Sequence, residues 1–119
     1  MEFNNSQPIY LQIINFVEIK LITKEWSSGT KLPSVRELAV QLGVNPNTIQ
    51  RAFMELERKE LIFSKRGMGN FVTEDEKAIE ALSPNIARQK VTQFIQDMEE
   101  IGFSIEQIIQ AIEQAGGNE

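Results

Sequence analysis

The sequence contains no cysteine and no histidine among its 119 residues. Without cysteine, disulfides, thiolate nucleophiles and Cys-ligated metal sites are excluded. Without histidine, the commonest metal ligand and general base is missing as well. No apolar run approaches the ~20 residues that a transmembrane helix needs, and residues 1–6 lack the basic and apolar parts of a signal peptide. These absences predict a cytoplasmic protein that needs no metal or cofactor.

Neighbouring carboxylates do not supply catalytic chemistry either. Glu99 and Glu100 occupy adjacent positions of a predicted helix, so their side chains face apart. The sequence pattern also places no nucleophile beside a base. We therefore predict that the protein is not an enzyme.

Acidic residues outnumber basic ones, giving a formal net charge of −5, but the charge is unevenly distributed. Residues 1–73 carry nine Lys/Arg and seven Glu, a balance of +2, whereas residues 74–119 carry three Lys/Arg and ten Asp/Glu, a balance of −7. DNA affinity depends on a local basic face, because counterions are released at the contacted phosphates. The first part of the chain can therefore bind nucleic acid, and we expect the acidic second part not to face phosphates.

Helix signals after residue 33 predict two helices joined by a short turn. Ser34 and Glu37 form a Ser-x-x-Glu capping box at the start of one helix. Gly43 is suited to a left-handed helix end. Asn45 can cap the next helix, with Pro46 at its first position. A glycine-bearing turn between two helices is the joint of a helix-turn-helix.

The second helix of this pair should run to about Lys59 and is followed by a hairpin. Its apolar residues cluster on one side, and polar residues such as Asn47 and Arg51 lie near the opposite side. Residues 61–64 and 70–73 are rich in strand formers and flank a basic, glycine-bearing tip. The order predicts a mainly α fold with a small β-hairpin wing, namely a winged helix-turn-helix.

Residues 74–119 predict two amphipathic helices, the second beginning with a capping box at Ser104. Two such helices cannot bury their apolar stripes on each other alone, so they need another surface. Folding back on the winged helix is one alternative, and pairing with a second chain is the one we favour. We therefore predict a DNA-binding domain over residues 1–73 and a helical dimerisation tail over residues 74–119. The predicted dimerisation residues are Phe94, Ile95, Met98, Ile101, Ile105, Ile108, Ile109 and Ile112.

Several of these segments together resemble a known family. Residues 8–13, 29–56 and 67–72 are similar to the N-terminal domain of GntR-family bacterial transcription regulators, above all Leu32–Ala39 and Gly43–Ala52. The short two-helix tail resembles the YtrA-like branch of that family. The resemblance implies a cytoplasmic homodimeric repressor on a palindromic operator, often controlling its own gene and neighbouring membrane-transporter genes. The chain has Pro46 and Gln50 where an arginine is common in the family.

The resemblance also implies DNA contacts from Ser34 and Arg36, from the third helix and from the wing. In the major groove, Asn or Gln pairs with adenine and Arg pairs with guanine, each good pair discriminating by ~1–3 kcal/mol. A threonine reaches a phosphate or a thymine methyl group, and the wing would anchor on the duplex. The predicted DNA-binding residues are Ser34, Arg36, Asn45, Asn47, Thr48, Gln50, Arg51, Lys65, Arg66, Gly67 and Gly69.

Two questions stay open from the sequence. The same fold could serve as a protein-interaction module whose third-helix face binds a partner protein, and salt dependence of binding separates this alternative from DNA binding. Release from DNA would require a signal that shifts the dimer's geometry or affinity. A small-molecule effector is therefore one alternative for this signal, but the sequence identifies no particular molecule. No membrane partner is expected.

Overall fold

Eight elements of regular secondary structure follow one another along residues 1–116, which are the residues that this computed structural model describes. The mainly α fold with a hairpin wing and C-terminal helices is confirmed. In chain order the elements are α1 (Ile9–Ile22), α2 (Val35–Leu42), α3 (Pro46–Arg58), β1 (Ile62–Lys65), β2 (Gly69–Val72), α4 (Glu76–Glu80), α5 (Leu82–Glu100) and α6 (Ile105–Gly116).

Side-chain caps set the starts of α2 and α3 as the sequence predicts. The Ser34 hydroxyl accepts from the N–H of Glu37 at 3.1 Å, and the Glu37 carboxylate accepts from the N–H of Ser34 at 2.9 Å. The Asn45 side-chain oxygen accepts from the N–H of Asn47 at 2.8 Å. Gly43 ends α2 with φ of 69°, a left-handed conformation that only glycine adopts without strain. These local bonds fix the turn between the two helices.

The chain divides into two compact units, Met1–Leu82 and Ser83–Glu119. In the first unit, α1 and α2 pack against α3, and α4 packs on α1. The first unit extends past the predicted boundary at residue 73, because Ile79 of α4 belongs to its core. The division into functional domains after residue 73 stays a prediction. The core of this unit contains Ile13, Ile14, Val17, Leu21, Leu32, Leu38, Ala39, Ile49, Ala52, Phe53, Leu56, Leu61, Ile62, Val72 and Ile79.

The wing is an antiparallel pair in which Ile62 lies opposite Val72 and Lys65 lies opposite Gly69. A third extended segment joins it. The N–H of Leu32 donates to the carbonyl of Asn70 at 2.8 Å, and Lys31 forms a bridge with Phe71. Each strand differs from its predicted range by one residue at either end. This third segment is not predicted by the sequence, because it pairs with residues about forty positions away.

The second unit contains most of α5 and all of α6, joined by a turn at Gly102 with φ of 87°. The predicted capping box at Ser104 is present, since its hydroxyl accepts from the N–H of Gln107 at 3.2 Å. The last three residues of the predicted tail, 117–119, lie outside the described residues. None of the helices within residues 1–116 is both long and apolar enough to cross a membrane.

Candidate nucleic-acid interface

Arg36 stands in the first turn of α2, where free backbone N–H groups and its own side chain favour an anion. The residue is exposed and makes no ion pair within residues 1–116. Its neighbour Ser34 accepts a hydrogen bond from the N–H of Glu37 in the capping box, and its hydroxyl also interacts with the Glu37 carboxylate. The start of α2 therefore offers an unpaired guanidinium beside backbone N–H groups.

A carboxylate shares this helix start. The N–H and hydroxyl of Ser34 hold the pKa of Glu37 below its ordinary value, and the nearby charge of Lys31 lowers it further. Glu37 is thus ionised at neutral pH, with its oxygen bound to the backbone of the cap. Because that oxygen accepts the cap hydrogen bond, part of its charge is compensated where Arg36 would meet DNA.

The first turns of α3 carry the predicted base-contacting residues. Asn47 and Gln50 are exposed, whereas Thr48 is half-buried. Asn45 is exposed too, but its oxygen is occupied by the cap, so only its amide N–H groups can reach a ligand. Position and exposure make Asn47 and Gln50 better placed to read base edges than Thr48.

Charge divides α3 into two halves. No carboxylate occurs between Asn45 and Arg51, whereas Glu55 and Glu57 lie in the last turns. Glu55 accepts from the Arg58 guanidinium at 2.8 Å, and this bond lowers the pKa of Glu55. Phosphates would be repelled by the second half of the helix, so the first half is the one that suits DNA.

Arg51 is held by an aromatic ring. Its guanidinium carbon lies 3.8 Å from the ring centroid of Tyr10, at the start of α1. Cation–π stacking of this kind attracts by ~0.5–1 kcal/mol at exposed sites and leaves the N–H groups at the edge of the guanidinium free. The side chain is therefore oriented before any ligand arrives, in a way that the sequence pattern alone does not indicate.

The wing differs from its prediction at Lys65. The sequence places Lys65 and Arg66 together at the tip, whereas Lys65 is the last residue of β1 and its ammonium lies 4.6 Å from the Phe71 ring centroid. Phe63 and Phe71 stack side by side on the same face of the hairpin, which gives the ammonium an aromatic surface. The tip itself consists of Arg66, Gly67 and Met68, all exposed.

Gly69 has a φ of 111°, a conformation that favours glycine, and an added Cβ would lie 3.0 Å from Cε of Lys31, which would have to shift. Lys31 therefore runs alongside the wing, although it comes from the segment before α2. Its basic side chain joins those of Lys65 and Arg66 near the hairpin.

Ion pairing separates the cations of residues 1–73 into two groups. Four of the nine make ion pairs, and the other five make none within residues 1–116. The paired residues are Lys20, Lys24, Arg58 and Lys59. The unpaired ones are Lys31, Arg36, Arg51, Lys65 and Arg66. The unpaired group lies in the helix-turn-helix and the wing, so a modest net charge leaves a locally basic surface.

The predicted dimerisation residues are mostly accessible. Ile101 is 67% exposed and Ile112 is 54% exposed, with Phe94, Ile105 and Ile109 at 40–50%. Ile95 and Met98 are half-buried. Ile108 is only 3% exposed, so the structure removes it from the accessible stripe, because its side chain is already packed within the chain.

Sequence reasoning missed two polar residues at this surface, Tyr10 and Lys31. Tyr10 is noticeable in the sequence, since it is the only tyrosine and lies near Pro8. Its contact with Arg51, however, depends on how α1 packs against α3. Lys31 has no local signal, because its place beside the wing results from strand pairing. Within residues 1–116 no group of acidic side chains is arranged to hold a metal ion.

Comparison with known proteins gives a family match over residues 9–72, to the family described as bacterial regulatory proteins, gntR family. The HTH-type transcriptional regulator YhcF of Bacillus subtilis is 40% identical over 93% of this chain and 92% of that protein. The HTH-type transcriptional repressor YtrA of the same organism is 36% identical over 92% of this chain and 85% of that protein. These relatives are transcriptional regulators, not enzymes.

The chain is also similar in fold to solved structures of transcriptional regulators. A GntR family transcriptional regulator from Listeria monocytogenes matches 94% of this chain and 98% of its own, with a TM-score of 0.79 at 45% identity. The DNA-binding domain of AraR in complex with operator ORX1 matches 60% of this chain and 93% of its own, with a TM-score of 0.57 at 27% identity.

Proposed function

Since the chain belongs to the GntR family and is a DNA-binding transcriptional regulator, we propose that it is a homodimeric repressor that acts on a palindromic operator. The two names that support repression are those of YtrA and of NagR, both transcriptional repressors of Bacillus subtilis. A dimer bound over a promoter excludes polymerase, so repression follows from occupancy.

The observation that carries this proposal is the separation of paired from unpaired cations. The five unpaired ones in residues 1–73 belong to the start of α2, to α3 and to the wing with its flanking segment. Ion pairs elsewhere neutralise the remaining four. DNA binding gains free energy from each phosphate that a free cation contacts, so these five supply the salt-sensitive part of affinity.

Base recognition in this proposal comes from the first half of α3 in the major groove. Asn47 and Gln50 pair with adenine edges, and Arg36 contacts guanine or phosphate. Arg51, stacked on Tyr10, contacts guanine or the adjacent phosphate. Arg66 and the backbone of Gly67 and Gly69 anchor the wing, with Lys65 and Lys31 behind them. Ser34, Asn45 and Thr48 contribute hydrogen bonds to phosphates.

The second unit supports the dimer in this proposal. Six of its large apolar residues are 40–67% exposed, and exposed apolar patches are sites where proteins associate. A symmetric dimer that binds half-sites one turn of DNA apart needs its two α3 helices ~34 Å apart. The resemblance to the YtrA-like branch directs the search for operators to the chain's own gene and to neighbouring transporter genes.

The test is a fluorescence-anisotropy titration of the protein against a labelled duplex from upstream of its own gene, with a scrambled duplex alongside. Both are measured at 50 and 200 mM salt. We expect tighter binding to the upstream duplex and a loss of ~10³-fold or more in affinity at the higher salt, as six or more phosphate contacts require. Binding that does not change with salt would favour the protein-interaction module instead.

A further inference from the structure

An apolar recess opens on the helix-turn-helix beside the predicted base-contacting residues. It has a volume of about 460 Å³ and lies between the exposed face of α2 and the start of α3. Val40 is 82% exposed, which is unusual for a valine on a helix whose other apolar residues are buried or half-buried. The residues that line the recess are Arg36, Ala39, Val40, Gly43, Val44 and Pro46.

The recess is continuous with the candidate nucleic-acid interface. Pro46 is exposed and stands between Asn45 and Asn47, both predicted DNA contacts. Arg36, another predicted contact, forms part of the wall. A ligand that fills the recess therefore meets an arginine and the first turn of α3 at the same time.

The chemistry of the wall limits what that ligand can be. Apart from the Arg36 guanidinium, its side chains are hydrocarbon, from Ala39, Val40, Val44 and Pro46. On the floor of the major groove, the one apolar group among the base edges is the C5-methyl group of thymine. An anionic backbone lies beside it, which complements Arg36.

We propose that this recess receives thymine C5-methyl groups, with Val40 and Pro46 as residues that determine sequence specificity. The inference rests on the proposed DNA-binding function. It adds a preference for thymine, which the polar residues of α3 do not provide. The apolar lining of the recess favours the thymine methyl group, because an apolar surface gains nothing from the hydrogen-bond donors and acceptors that distinguish the other base edges.

The first arm of the test changes only the DNA. Once specific binding to an unmodified operator has been measured, each thymine in turn is replaced by deoxyuridine, which removes one methyl group and keeps all base pairing. Burial of one methyl group stabilises by ~0.8 kcal/mol, so we expect about four-fold weaker binding for each half-site at one thymine or two adjacent ones. Deoxyuridine elsewhere in the duplex serves as the control and should leave the affinity unchanged.

The second arm combines DNA and protein changes. Val40→Ala removes two methyl groups from an exposed position, where substitutions change stability little. Binding of V40A to the unmodified operator should weaken, and deoxyuridine at the sensitive position should weaken it little further. Pro46→Ala, which retains a helical first position, is the second variant and should behave in the same way.

Two results would overturn the proposal. One is an operator in which no thymine is sensitive to loss of its methyl group. The other is a sensitive thymine whose effect is as large with V40A and P46A as with the natural chain, since the two changes would then act independently. Failure of the proposed function is distinguishable, because it appears earlier as the absence of specific binding to any unmodified duplex.

Discussion

The two units of this chain differ in the balance between buried and exposed apolar residues. The first unit buries fifteen of them in one core and exposes six large ones. The second buries Ile86 and Ile108 and also exposes six large ones, namely Val91, Phe94, Ile101, Ile105, Ile109 and Ile112. The first unit can close around α3, because α1, α2 and the wing pack against it. Within its described residues, the second unit has the two helices α5 and α6, which cannot cover each other's stripes.

The units differ in charge as well. The first leaves five cations unpaired in the helix-turn-helix and wing, whereas residues 83–119 carry two Lys/Arg and six Asp/Glu, a balance of −4. The first unit therefore combines a closed core with unpaired cations that suit an anion. The second combines acidic residues with an exposed apolar stripe, which supports the proposed dimer.

The largest effect should come from adding a charge to the exposed stripe. Ile109 is 49% exposed in α6, and Ile109→Asp would place a carboxylate in the proposed interface. We expect a monomer, with operator affinity weaker by about 10²- to 10⁴-fold because the two half-sites are no longer linked. Sedimentation and anisotropy measure the two effects.

The control for this variant is Gln110→Asp, which adds the same charge at the next exposed position of α6. We expect it to remain a dimer with nearly natural affinity. An Ile109→Asp protein that still sediments as a dimer would show that the pairing surface lies elsewhere.

Substitutions in the core and in the exposed stripe should also differ in how their effect on stability depends on protein concentration. Ile49 is 0% exposed, so Ile49→Ala should lower the free energy of unfolding by about 2–5 kcal/mol at any protein concentration. Ile112 is 54% exposed, so the cost of Ile112→Ala should appear only where the chain is dimeric. Urea unfolding at two protein concentrations separates the two. Equal concentration dependence for both variants would contradict the comparison.

The contrast between free and paired cations can be tested on one helix. Arg51→Ala removes a cation that stacks on Tyr10, and Arg58→Ala removes one that pairs with Glu55. We expect Arg51→Ala to weaken specific binding about ten-fold, as the loss of one good contact does, and Arg58→Ala to change it little.

Two further variants test the role of the tyrosine ring. Tyr10→Phe keeps the aromatic surface beneath Arg51 and should bind almost normally, whereas Tyr10→Leu should weaken binding about two- to five-fold, less than Arg51→Ala does. The dependence of affinity on salt should become shallower for Arg51→Ala if the guanidinium contacts a phosphate. Equal effects of Arg51→Ala and Arg58→Ala would remove the distinction between the two groups of cations.

The smallest expected effect is the pH dependence of stability that comes from the hydrogen bonds of Glu76 in the first unit. Hydrogen bonds from Lys24 and Ser28 hold the pKa of Glu76 below its ordinary value. A carboxyl whose folded pKa is lowered stabilises fully above its unfolded pKa of about 4.3 and loses that contribution as pH falls through the folded pKa. Glu76→Gln should therefore lower the melting temperature slightly at pH 7. The difference from the natural chain should vanish at the acidic end, with Glu80→Gln as the control.

Much of the fold follows from residues that are close in the sequence. The capping boxes at Ser34 and Ser104, the Asn45 cap and the glycine turn at Gly43 each use partners two or three positions away, so their patterns are readable directly. The third wing segment and the placement of α4 in the first unit were not readable. Both depend on contacts between distant residues.

The candidate site divides along the same line. Composition and periodicity by themselves determined that α3 buries Ile49, Ala52, Phe53 and Leu56 and turns polar residues outward, since a helix repeats every 3.6 residues. Which arginine is held in place, which lysine folds onto a phenylalanine and which isoleucine is buried were decided by tertiary packing. Tyr10 meets Arg51 and Lys31 meets the wing only once α1, α3 and the hairpin are assembled, because no local hydrogen bond spans those separations.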